Sequence, residues 1–176
     1  MSADTQNRYF GKFAGTVVNN VDPERRGRLL VTVPDVLGPL PSTWAEACVP
    51  LAGPTGPPMG AYFVPPIGAG VWVEFERGDP SRPIWVGCRW GSAADVPPLA
   101  FAGLPVSPNI VLQTAGQNSL VISDLPGPTG GIMLKSATGA TLIVNDTGIY
   151  IQNGKGAAIT LVGPTVTVNN GALTVV

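Results

Sequence analysis

Histidine is missing from all 176 residues. That removes the commonest general base, metal ligand and physiological pH switch together. Ser-His-Asp triads, Cys-His pairs and His-bearing zinc sites are therefore excluded. Cysteine is nearly missing as well. Cys48 and Cys88 are too few for a disulfide framework or a four-sulfur metal site, and each is expected to be a small buried hydrophobe. Charge is scarce: 12% of residues are charged, about half the usual share. With 10 Lys+Arg against 11 Asp+Glu, the formal charge of −1 gives no drive toward nucleic acid or an anionic membrane. No apolar run approaches the roughly 20 residues that a membrane helix needs; Val71–Phe75 and Leu142–Val144 are typical of the most hydrophobic windows. The polar start, Met1–Lys12, lacks the apolar core of a secretory signal. It predicts a chain assembled in the cytosol, where neither cysteine need be oxidised.

What is present is glycine and proline, 23 and 19 of them, in a chain that is 44% hydrophobic. They recur too often for a long helix, and no window combines a helical period with caps at both ends. Ile, Leu and Val are abundant enough to rule against disorder. The fold class expected is all-β. Charge divides the chain: beyond residue 100 only Asp124, Lys135, Asp146 and Lys155 are charged, and Trp44, Trp72, Trp85 and Trp90 all lie before it. Gly91–Pro108, with four prolines, reads as a stiff connector. The expected organisation is an N-terminal arm over 1–12, a barrel over 13–90, the connector over 91–108 and a repetitive domain over 109–176.

In the first half, short alternating segments bounded by turns predict five strands: Phe13–Val21, Arg28–Pro34, Trp44–Leu51, Val71–Arg77 and Pro83–Trp90. Five strands in this length suit a small closed barrel of the OB type, which removes sheet edges by closing on itself. Ala52–Gly70, rich in Gly and Pro, is expected to be a surface loop with one short extended piece at Ala61–Val64.

The second half repeats. Large apolar residues stand two apart in eight pairs: Ile110/Leu112, Leu120/Ile122, Ile132/Leu134, Leu142/Val144, Ile149/Ile151, Ile159/Leu161, Val166/Val168 and Leu173/Val175. Between them sit Gly, Asn, Thr, Ser, Asp and a few Pro. Each unit predicts a very short strand with one apolar face and a tight turn, an array signature. Two inward residues per strand cannot cover themselves. About 67 residues would make only three rungs of a single-chain β-helix, with blunt ends exposed. Three copies around a threefold axis solve the problem, because each strand's pair then meets those of its partners. These sixteen residues are the expected trimer core. With eight strands stacked on each of three faces, the prism would be about 38 Å long.

Pro65–Gly87, with Gly68, Val71, Val73, Phe75, Gly78, Asp79, Pro83 and Gly87, closely resembles the OB-fold hallmark of phage baseplate spike proteins. The same pattern occurs in the valine–glycine repeat spike, VgrG, of type VI secretion. Asp22–Pro34 is similar to the same family's D-P-x-x-x-G-R-V-x-V-x-x-P segment. The alternation of Val71, Val73 and Phe75 with Trp72, Glu74 and Glu76 gives one apolar strand face. Gly78-Asp79 signals a hairpin turn, Pro80 blocks further pairing, Pro83 restarts the chain, and Gly68 and Gly70 supply backbone angles that side chains forbid. The chain resembles a minimal baseplate assembly protein V: an OB barrel followed directly by an intertwined three-chain β-helix. Neither the hydrolase that some phage spikes insert nor the hub domains of VgrG are expected in it. What the resemblance implies is a homotrimeric structural spike, with no catalytic residue, cofactor or metal. A separate baseplate hub would hold it, and it would touch the target membrane only transiently, on piercing. The particle would be a virion or a phage-tail-like device, released from the cell in some cases.

Three constellations have alternative meanings. Glu74 and Glu76 lie about 7 Å apart along one strand, a spacing that suggests a glycosidase pair, but a solvated strand face is the simpler reading. Arg25, Arg26 and Arg28 on an OB barrel with four Trp suggest single-stranded nucleic-acid binding; Glu74 and Glu76 beside Trp72 would repel phosphate, so no nucleic-acid partner is expected. Asp124, Asp146, Asn145–Gly148 and Asn169–Gly171 lack the spacing of calcium-binding repeats and read as turns. Finally, Gly171–Val176 is apolar and lacks a polar cap, which would leave a stacked array with an unpaired end. The resemblance implies that a conical tip protein of the proline–alanine–alanine–arginine (PAAR) type sits there, on Leu173, Thr174, Val175 and Val176.

Overall fold

The structure is a computed structural model that describes residues 7–54 and 56–175. It is all-β apart from one four-residue helix and a few 3-10 turns, and it divides into two compact units, one ending at Gly91 and the other starting at Ser92.

The first unit holds β1 (Phe13–Asn19), β2 (Leu30–Thr32), β3 (Glu46–Ala47), β4 (Gly70–Phe75) and β5 (Pro83–Arg89), in the order β2-β1-β4-β5-β3. All pairs are antiparallel except β3 with β5. Leu29 and Ala45, just outside β2 and β3, exchange backbone bonds of 3.1 and 2.7 Å, so the ring of strands closes. Alternate residues of each strand point inward. Val17, Leu29, Val31, Val33, Ala45, Val71, Val73, Phe75 and Trp85 form the buried core. The indole of Trp85 donates to the Gly27 carbonyl at 3.0 Å, satisfying its one buried polar atom. The described part of the arm joins this core: Tyr9 packs on Phe13 and Phe75 with ring centroids 6.2 and 6.3 Å away, and those two rings lie 5.7 Å apart.

Local chemistry explains the corners. Gly68 takes φ 88° while its N–H reaches the Val17 carbonyl at 2.8 Å. Gly70 has no unusual angle, contrary to expectation. Its role is close approach, since a Cβ there would lie 2.9 Å from the Arg89 side chain. Between β4 and β5, Arg77 and Gly78 both adopt positive φ, and Asp79 accepts from the Ser81 backbone N–H and hydroxyl at 2.9 and 2.7 Å. Gly87 faces Trp72 where β5 bulges around Val86.

Other expectations for this unit are corrected. The third strand is only two residues long, because the chain from Ser42 to Ala45 turns toward β2, with Ser42 N–H bonded to the Val31 carbonyl at 2.8 Å. Ala52–Gly70 is a loop as expected; among its described residues it carries the bridge Ala52–Gly60 and no strand before β4. Cys48 and Cys88 are free and exposed rather than buried, for they follow the short β3 and the β5 bulge, outside the alternation that fills the core.

The second unit begins with two 3-10 turns, Ala93–Asp95 and Pro98–Ala102. Ser92 and Asp95 cap the first reciprocally. Then follow β6 (Ile110–Gln113), β7 (Ser119–Ser123), β8 (Gly131–Lys135), β9 (Thr141–Asn145), β10 (Gly148–Gln152), β11 (Ala158–Val162), β12 (Thr165–Val168) and β13 (Leu173–Val175). They form one antiparallel sheet in sequence order. Successive strands of a single chain thus supply eight stacked strands.

Candidate functional site

Strand register turns the sequence repeat into a surface. Ile110 lies opposite Ile122, Ile122 opposite Ile132, Ile132 opposite Val144, Val144 opposite Ile149, Ile149 opposite Leu161, Leu161 opposite Val166, and Val166 opposite Val175. The second row runs Leu112, Leu120, Leu134, Leu142, Ile151, Ile159, Val168, Leu173 through the same pairings. All sixteen paired positions fall in these two ladders, on one face, because residues two apart in a strand share a face. Every hairpin preserves the register.

This face is open in the single chain. Ile110 is 65% exposed and Leu134 48%, and Ile132, Val144, Ile151 and Ile159 are also exposed. The second ladder, through Val168, lines a trough of about 980 Å³. An apolar surface of this length and continuity marks an interface rather than a solvated face.

The strands are not apolar on one face alone, as the repeat suggests. The middle residues Val111, Val121, Met133, Ile143 and Tyr150 form a third row on the opposite face, continued by Thr160 and Thr167. Val121, 4% exposed, is the most buried hydrophobe of the sheet. The signal was present in Leu-Val-Ile, Ile-Met-Leu and Leu-Ile-Val, where the residue between the pair is apolar too.

Turn side chains hold the hairpins. Asn145 accepts from Thr147 N–H and hydroxyl and from Gly148 N–H, at 2.9, 2.7 and 3.2 Å. Asn169 and Asn170 adopt positive φ. Asp124 accepts from the Ser107 hydroxyl at 2.6 Å, and Asp146 from Gly127 N–H at 3.2 Å. Among the described residues β13 pairs only with β12, and its outer edge has no strand partner there; Val176 lies outside the described residues.

The barrel's polar clusters have internal partners. Arg28 donates through Nε and Nη2 to Asp22 at 3.0 and 2.7 Å and stacks on Trp44 at 5.6 Å. Beside it the Asp22 carboxyl is held well below the usual carboxylate range, first by the Arg28 side chain and then by backbone N–H groups of Glu24, Arg26 and Arg28. Arg26 bonds Glu46 at 2.9 and 3.0 Å and Glu24 at 2.9 Å. Two of the three arginines are thereby neutralised, which disfavours a phosphate-binding role. Glu74 pairs with Lys12 at 2.7 Å and Glu76 with Arg82 at 2.6 Å, so the carboxylates serve separate ion pairs rather than one cleft.

Residues 13–90 match the family model of the type VI secretion system/phage-baseplate injector OB domain. Residues 109–174 match that of the phage baseplate V C-terminal trimerisation domain. The chain belongs to the phage baseplate V family. Both of its domains are accounted for in that family, with the eight-stranded ladder sheet coinciding with the trimerisation domain and the closed barrel with the OB domain. A phage baseplate V protein has a structural spike role in the injector, and this chain shares it. A comparison with curated proteins found no match. No helix among the described residues is long and apolar enough to cross a membrane.

Proposed function

We propose that three copies of this chain turn their apolar ladders toward a common axis and wind into a β-prism that serves as the piercing shaft of a contractile injector. The observation that carries this is the pair of in-register ladders, which run through all eight strands and remain largely exposed in one chain. An exposed row of Ile, Leu and Val gains about 25 cal/mol per Å² when covered, and a threefold arrangement covers both ladders at once. Such a core exists only between chains.

The role is mechanical. Many short hydrogen-bonded strands over an interchain core make a rod that cannot shear without breaking many bonds together. The barrel docks on a separate baseplate hub. The segment 173–176, whose described part is the edge strand β13, carries a PAAR-type tip, and the assembly contacts the target membrane only as it passes through. It is assembled in the bacterial cytoplasm, acts without catalysis, cofactor or metal, and has no nucleic-acid partner. Negative-stain micrographs of the purified protein test this reading. A needle with a threefold axis is expected; compact particles with no shaft would refute it.

A further inference from the structure

The four charged residues of the ladder domain, Asp124, Lys135, Asp146 and Lys155, alternate in sign along the chain. One strand lies between each consecutive pair: β8, ending at Lys135, then β9, then β10. A meander changes edge with every strand, so alternation in sequence becomes segregation in space. Both aspartates stand at one edge of the sheet and both lysines at the other. Among the described residues, none of the four has an ion-pair partner within its own chain. The Ser107 and Gly127 bonds fix the two carboxylates at their edge. Neither edge carries a charge of the other sign.

We infer that the aspartate edge of one copy lies against the lysine edge of the next, so that three copies close through three identical charged seams. This rests on the trimer proposed above. A closed ring of identical subunits with a threefold axis joins unlike edges, and here the unlike edges have opposite charge. Strands are about 4.8 Å apart, which puts Asp124 about half a strand from the level of Lys135, and Asp146 about one strand from that of Lys155. Both offsets are within the sweep of a four-carbon lysine stem. The seams do what the ladders cannot. A row of Ile, Leu and Val that slides by one strand still meets an apolar row, so hydrophobic contact leaves axial register degenerate. Charges at two heights select one register and oppose the reversed pairing of like edges.

Carbodiimide coupling of the intact wild-type protein tests this directly, because it joins carboxylates to amines only where they touch. Within one chain Asp124 and Lys135 are separated by the length of β8, five residues or about 16 Å, too far to couple. We expect a covalent trimer on a denaturing gel, with Asp124–Lys135 and Asp146–Lys155 bonds in its peptides. The Asp124→Asn/Asp146→Asn variant should lose the covalent trimer. Asp124→Lys/Asp146→Lys should lower the trimer's melting temperature at low salt, and adding Lys135→Asp/Lys155→Asp should restore it. A trimer by native mass whose two edges never couple, or whose charge reversal is silent, overturns the seam and leaves the trimer standing. A monomeric wild-type mass overturns the trimer itself.

Discussion

Leu134 stands directly opposite Leu142 across β8 and β9, and opposite Leu120 on the other side. Each of these leucines is thus flanked within its ladder by another, and Leu134 is about half exposed. In a threefold assembly, Leu142→Asp puts three carboxylates together in an apolar core. Uncompensated buried charge is among the most costly changes a core can suffer. The variant is expected to remain monomeric or aggregate, whereas Thr160→Asp, on the opposite face, should assemble. Native mass of the two variants checks this.

Gly131 opens β8 with φ 85°, and a Cβ there would run into the Val144 carbonyl. Left-handed backbone alone costs a residue with a side chain about 1–2 kcal/mol, and the clash adds to it. Gly131→Ala should therefore lower the thermal midpoint of the ladder domain by several degrees, measured by circular dichroism. Gly163→Ala, where a Cβ meets nothing, should bear only the backbone cost.

The Asp22 carboxyl titrates below its usual range because Arg28 and three backbone N–H groups favour its charged form. Its stabilising contribution is complete above the unfolded carboxylate value, about pH 4. It is lost as pH falls from there toward the lower folded value. Barrel stability should decline across that acid range. Asp22→Asn should lower the midpoint at pH 7, and its deficit against the wild type should shrink below pH 4, read by thermal melts across pH.

Removing residues 173–176 takes away β13 and exposes the edge of β12. Six inner positions per trimer are lost out of the full ladder set, so assembly should survive. Recruitment of a PAAR-type tip should fail. Co-purification of a tip with the truncated trimer would contradict a tip seat at Leu173–Val176.

Much of this architecture is written in residue spacing. Pairs such as Ile132/Leu134 stand two apart, and that interval alone places them on one face of a strand. Turn chemistry such as Asn145–Gly148 then marks where the chain reverses. Spacing predicts a closed barrel, but it does not report which strands meet, so the pairing that closes it, Leu29 with Ala45, follows only from the fold. Nor could the short β3 be read, since Trp44–Leu51 alternates acceptably and only the Ser42–Val31 contact curtails it. The exposure of Cys88 follows from a bulge, which has no signature in composition. Ser92 and Asp95 did carry a legible capping signal inside a segment that reads as connector. The charge segregation of the ladder edges needed the strand count to be fixed first.

The decisive measurement is the native mass of the full-length chain across a micromolar concentration series. Three times the 18.1 kDa chain mass, held throughout, is the predicted result. A single-chain mass with the ladder domain fully folded would contradict the account.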